Sequence, residues 1–302
     1  MRPGSDASSP APRPVIKPPV WTPEIPVYFY VGGLAGACAG VGLLADLRGE
    51  DALARRAWGI ALAGSVVSPA LLISDLGRPA RFLHMLRMFK VTSPMSVGSW
   101  VLVGFGAATA PAALHATLGL GAPGRLAQVA AALLGLPLSA YTAALIANTA
   151  VPAWHEARYE LPFVFTAGAA ASAGAALTAL SPVAEAQAAR RLAVGGAMAE
   201  LALAQLMERR LDARGVGGAY HERPVKQLSR AAAGLTAAGA LLITRRSRRA
   251  AIAGGALLSA GALAERWTIF KAGSASAARP QDTIGPQRAR VGAAPGVATS
   301  SR

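Results

Sequence analysis

Asp75-Leu-Gly-Arg-Pro-Ala-Arg-Phe82, followed by Thr92-Ser-Pro-Met-Ser-Val-Gly-Ser-Trp100, separates two apolar stretches at 57–74 and 97–118. A membrane-spanning helix needs roughly 20 mostly apolar residues. The strings are therefore a polar break between two helices of membrane length. A plain connection there needs only turn residues and a few positive charges. This one sets an acid and a guanidinium three residues apart, with Gly77 and Pro79 around them at the end of an apolar helix. The spacing predicts an Asp75–Arg78 ion pair at the membrane edge, in a loop built for more than connection.

Working outward, eight apolar stretches emerge, at about 24–46, 57–74, 97–118, 126–150, 161–180, 190–207, 228–244 and 250–267. The sixth carries Glu200 and Gln205, and the seventh is short. The expected fold is all-α and integral to the membrane, with eight transmembrane helices in two four-helix bundles. Residues 23–270 form that domain. Residues 1–22, rich in Pro and Ser, read as a disordered tail rather than a signal peptide, because no small-residue cleavage site follows a short apolar region. Residues 271–302 read as a polar C-terminal tail, part of it a docking segment. Gly and Ala dominate the helices, which lets backbones approach where lipid gives no hydrophobic drive for association. A Gly-rich phosphate loop would need a preceding strand, and the sequence suggests none.

Composition supports the membrane reading. Apolar residues make up 53% of the 302, charged residues only 15%, and mean hydropathy is +0.39. A soluble domain carries about 25% charged residues. The net charge of +15 raises the question of nucleic acid. The basic residues, however, sit in short clusters between apolar segments, and aromatics that could stack bases are only 6%. Nucleic-acid binding is excluded on that pattern.

The chain is also poor in ligands for redox metals. Its one cysteine, Cys38, rules out an internal disulfide and an all-Cys zinc or iron–sulfur site, and it reads as a small packing residue. Of His84, His115, His155 and His221, only His115 falls within an expected span. Haem held between two membrane histidines is thus excluded. No haem, iron–sulfur cluster or other metal is expected in this chain, and an electron-transfer role would require a diffusible carrier and a metal-bearing partner.

Eight spans put both termini on one side. That side collects about twice as many Lys and Arg as the other, so the positive-inside rule places both termini in the cytoplasm. The specific segments share that side: Trp21–Tyr30, Asp75–Trp100, Asn148–Pro162, Glu265–Ser274 and Gln281–Arg288. Interfacial anchoring accounts for Trp21, Trp154 and Trp267. It does not account for acids, bases and prolines repeated on one face only. A docking surface over an amphipathic ligand site does.

These residues carry a resemblance. The Gly-Gly-Leu-Ala-Gly run of helix 1, Asp75–Phe82, Thr92–Trp100, and Pro152-Ala-Trp154 with Leu161-Pro162 resemble the NrfD/PsrC family of membrane subunits, over nearly the whole chain from Trp21 to Arg290. The resemblance implies an eight-helix subunit of a bacterial inner or plasma membrane that carries no resident cofactor. It would bind a quinone, menaquinone or ubiquinone, near one surface. It would dock a ferredoxin-like iron–sulfur subunit there, and through it serve a molybdopterin catalytic subunit. The chain would then be one subunit of an oxidoreductase complex, with formate, polysulfide or nitrite among the substrates served by relatives.

The resemblance also suggests roles. Tyr141 matches the family's quinone-binding tyrosine. Where polysulfide-reductase-type members carry Asn and His at the start of helix 1, this chain has Pro23 and Pro26, leaving Glu24 and Tyr28 as nearby polar groups. Glu24, Tyr28, Asp75, Arg78 and Tyr141 are the candidate quinone contacts. Asp75 and the mid-helix Glu200 are candidates for proton transfer, although an ion pair with another helix explains Glu200 equally well. Arg81, His84, Trp154, His155 and Arg288 are the docking candidates. Two rival readings remain open at this stage: a pure membrane anchor, and a transporter, which would show inverted repeats or interrupted midplane helices.

Overall fold

The computed structural model describes residues 15–292 apart from Pro18 and Pro79, and among these residues it is helical with no strand. The long helices are α1 (Glu24–Leu47) and α2 (Asp51–Asp75), then, after the short α3 (Ala80–Met85), α4 (Pro94–Leu118) and α5 (Gly121–Ala147). The second half repeats the plan. Short α6 (Pro152–Glu156) leads to α7 (Leu161–Leu180) and α8 (Gln187–Ala213), and short α9 (Gly218–His221) to α10 (Val225–Ile243) and α11 (Arg248–Ala277). A final helix, α12 (Pro280–Gly292), closes the described chain. Local chemistry sets several of these ends. Ser93 caps α4 by accepting the Ser96 N–H at 3.4 Å, with Pro94 in the first turn, where no N–H is needed. Ser247 caps α11 in the same way, accepting from Ala250 at 3.2 Å.

Five helices, α1, α2, α4, α5 and α7, are long and apolar enough to cross a membrane. The eight-span expectation is thus met in full only to that number. Helices α8, α10 and α11 are of comparable length but contain no stretch as apolar and charge-poor as those five. The apolar exterior fits a bilayer: Leu133, Leu136, Phe163, Met198 and Leu241 all point outward, exposed to more than half their extent.

The long helices pack in two groups of four. In the first, α1 lies against α2 and α5, and α4 against α5 and α2; in the second, α7 lies against α8 and α11, and α10 against α11 and α8. Helices α1 and α7 form the main seam between groups, where Phe29 meets Phe165 at 5.7 Å between ring centroids. Small residues set the spacing. A Cβ on Gly135 would fall 2.6 Å from the Gly36 carbonyl oxygen, so α1 and α5 touch backbone to backbone. Cys38 is buried and free in this packing.

The chain ends differ from the sequence expectation in one respect. Residues 271–277 continue α11, and 280–292 form α12, so the first part of the anticipated tail is helical. Residues 1–14 and 293–302 lie outside the described residues.

Candidate functional site

The start of α1 and the ends of α2 and α5 meet the start of α4 at one end of the first helix group. Between them lies a cavity of about 100 Å³, walled by Ile25, Leu72, Leu76, Met85, Met95 and Leu145 and bordered by Trp21, Tyr28, Asp75, Gly98, Ser99 and Tyr141. Two signals quoted from the sequence therefore converge here: α1 brings Tyr28, and the Asp75–Trp100 stretch brings Asp75, Gly98 and Ser99. Tyr141 comes from α5. Its hydroxyl donates to the Pro94 carbonyl at 2.7 Å, across the helix pair. Gly98 makes room for it, since any Cβ there would overlap the Tyr141 ring. A volume of this size is of the order of the roughly 150 Å³ that holds one benzene-sized ring. Met85 and Met95, unbranched and adaptable, line the same wall.

Asp75 is not paired as its sequence spacing suggested. Its Oδ1 accepts the Thr22 N–H at 2.9 Å and the Thr22 hydroxyl at 2.5 Å. Among the described residues there is no Asp75–Arg78 ion pair, and Arg78 is exposed and does not line the cavity. The reason is chain direction: Asp75 is the last residue of α2 and faces the incoming strap before α1, whereas Arg78 lies beyond the turn at Gly77 (φ +65°) and points outward. Glu24 sits in the first turn of α1 and also falls outside the cavity lining.

The docking candidates divide. Arg81, His84, His155 and Arg288 are exposed, with the Arg81 guanidinium donating to Leu76 O at 3.1 Å. Trp154 is buried instead. Its ring stacks on Trp21 at 5.4 Å, its indole N–H donates to Ile269 O at 2.8 Å, and Gly273 leaves the space it fills. In that position it joins the two helix groups and offers no surface to a partner. Nearby, the Ala153 N–H donates to Ser276 Oγ at 3.1 Å, and α12 packs against α6. Burial holds the Asp282 carboxyl above its ordinary range, with Arg279 acting against the shift.

Glu200 forms a cross-helix pair. Arg266 on α11 donates to Glu200 Oε1 at 3.2 Å and to Phe165 O at 2.8 Å, while its guanidinium lies 4.2 Å over the Phe165 ring. Both side chains are 3% exposed. Glu265 and Glu208 stand close by and were not singled out from sequence. Glu265 lay near the end of an expected span and read as part of a surface segment. The available signal was the mid-helix acid itself, since Glu200 requires a cationic partner and Arg266 is the one basic residue in the last expected span. On the same side of the molecule, Arg210 meets Glu160 at 2.7 Å and the Arg214 guanidinium donates to the Glu156 carbonyl. Burial, then Glu265 and Glu208, push the Tyr220 phenol well above its usual range.

Apolar helices of membrane length, a lipid-compatible exterior and polar sites confined between helices define a multi-pass membrane protein. A family model described as polysulfide reductase, of the NrfD type, matches residues 16–279. The chain belongs to that family, and so to the membrane subunits of oxidoreductases. No curated protein matches it.

Proposed function

We propose that this protein is the quinone-reactive membrane subunit of an oxidoreductase complex. Electrons pass between quinol in the first helix group and the iron–sulfur clusters of a ferredoxin-like subunit docked over the same end, and from there to a molybdopterin subunit. The observation that carries this reading is the cavity beneath Trp21, apolar on most of its wall, with Tyr141, Tyr28, Ser99 and Asp75 at its polar border. Quinol oxidation releases two electrons and two protons, so a headgroup site needs groups that hydrogen-bond or accept protons. Tyr141 supplies an aromatic hydroxyl fixed at a known position by Pro94 O. Asp75, whose Oδ1 is held by Thr22, forms no ion pair among the described residues and offers its carboxylate as a proton acceptor. The exposed Arg81, His84, His155 and Arg288 lie at the same end and suit a docked partner. Helices α8, α10 and α11 complete an eight-span domain in this reading, with both termini cytoplasmic by the charge distribution.

A pure anchor would need no built cavity, and inverted broken helices are not a feature of the described residues. The test is Tyr141→Phe in the assembled complex. Quinone-dependent turnover should fall roughly tenfold, the size of one transition-state hydrogen bond, while turnover with an artificial donor to the partner's clusters stays unchanged. Equal loss in both assays would point to assembly rather than quinone contact.

A further inference from the structure

A second cavity, of about 200 Å³, lies in the other helix group between α8, α10 and α11. Glu200, Gln205, Glu208, Ser229, Arg230 and Glu265 line it. At about 30 Å³ per water, it has room for several. Two carboxylate oxygens without a hydrogen-bond partner among the described residues are buried here: Glu200 Oε2 and Glu265 Oε1, on residues 2% and 6% exposed overall. The Ser229 hydroxyl donates to Glu208 Oε1 at 2.8 Å.

We propose that this cavity is a hydrated proton-holding site, separate from the quinone cavity and independent of that assignment, in which Glu265 and Glu200 share an exchangeable proton and Glu208 passes it to the end of the bundle. The charges on every packed element lead there. Helix α11 contributes Arg266, which pairs with Glu200 at 3.2 Å and reaches Glu265 only as a longer-range charge. Helix α10 contributes Arg230, which is exposed. Helix α9 contributes Tyr220, a neutral phenol near Glu265 and Glu208, while the His221–Asp212 pair at 2.7 Å stands beyond Glu208. Helix α1 contributes Tyr30, toward Arg266. Among the described residues Glu265 forms no ion pair of its own. A buried carboxylate without one neutralises by taking a proton, so –COO⁻ plus H⁺ gives –COOH at Glu265. The unpartnered oxygens then become the donor and acceptor that water in the cavity can join. A metal ion fits less well: among the described residues no three His, Cys, Asp or Glu side chains converge to hold one.

The experiment is infrared difference spectroscopy of the full-length protein in lipid, titrated from acid to alkaline buffer in H₂O and D₂O. The wild type should show a protonated-carboxyl carbonyl band at neutral pH that shifts in D₂O. Glu265→Gln should remove it, Glu200→Gln should shift it, and Tyr141→Phe should leave it in place. A wild type without such a band overturns the proposal, whether or not the variants fold. So does a band that persists unchanged in Glu265→Gln, or one abolished by sodium ions at constant pH, which would identify a sodium site instead.

Discussion

The two helix groups each enclose a cavity, and the cavities are opposites. In the first group, apolar walls surround a few neutral hydroxyls and one carboxylate fixed by Thr22, and the constraint is shape. In the second, three carboxylates and a guanidinium face one space between helices, and the constraint is charge. A planar, apolar ring with two carbonyls suits the first, whereas a site that must neutralise itself suits protons. On the proposed reading the bundle divides its work, with one half contacting the carrier and the other holding charge.

The largest effect should come from breaking the charged half. Arg266→Met strands Glu200 beside Glu265, and removing one partner of a buried pair costs about 3–5 kcal/mol. Thermal unfolding in detergent should show a large loss of stability, and the Glu200→Gln/Arg266→Met double variant should recover much of it. No recovery would mean that Arg266 acts through Phe165 O and the ring rather than through Glu200.

Next comes shape. Gly98→Ala drives a Cβ into the Tyr141 ring. Overpacking of this kind costs about 1–3 kcal/mol, and here it also fills the first cavity. Quinone-dependent turnover should disappear while the infrared carboxyl signal of the second group survives. Loss of both would show that the two halves are coupled. Trp21→Ala should be milder. The stacked pair is worth about 0.5–1.5 kcal/mol beyond burial, so a modest fall in unfolding temperature and a raised apparent KM for quinone are expected from steady-state kinetics.

The smallest effect lies at Asp282, outside both cavities. Its carboxyl has a raised value in the folded chain, so its contribution to α12 docking is full in acid and is lost as pH rises through that value. A spin label on Gln281→Cys should be least mobile in mildly acidic buffer, and Asp282→Asn should flatten the dependence.

Much of this was legible in the sequence, but unevenly. Apolar length gave the positions of all eight long helices, because a span of roughly 20 residues is a local property. The concentration of motifs at one end pointed to the first cavity, and Tyr28, Asp75 and Tyr141 do border it. Partner choice was not legible. Asp75 binds Thr22, 53 positions away, rather than its neighbour Arg78, because helix direction and not spacing decides which group a terminal carboxylate faces. Trp154 read as a surface aromatic until Gly273 and Ile269, more than a hundred positions on, were seen to enclose it. Glu265 and Arg266 escaped notice because a charged pair near the end of an apolar run looks like an interface. Their helix in fact continues to Ala277 and buries both.

The most direct test of the central claim is binding of a quinone analogue to the purified protein, followed by quenching of Trp21 fluorescence in a variant whose other tryptophans are replaced by Phe. Saturable quenching that weakens about tenfold in Tyr141→Phe, and is unaffected by Glu265→Gln, is the predicted result. Quenching that is absent, or that responds to Glu265→Gln and not to Tyr141→Phe, would contradict it.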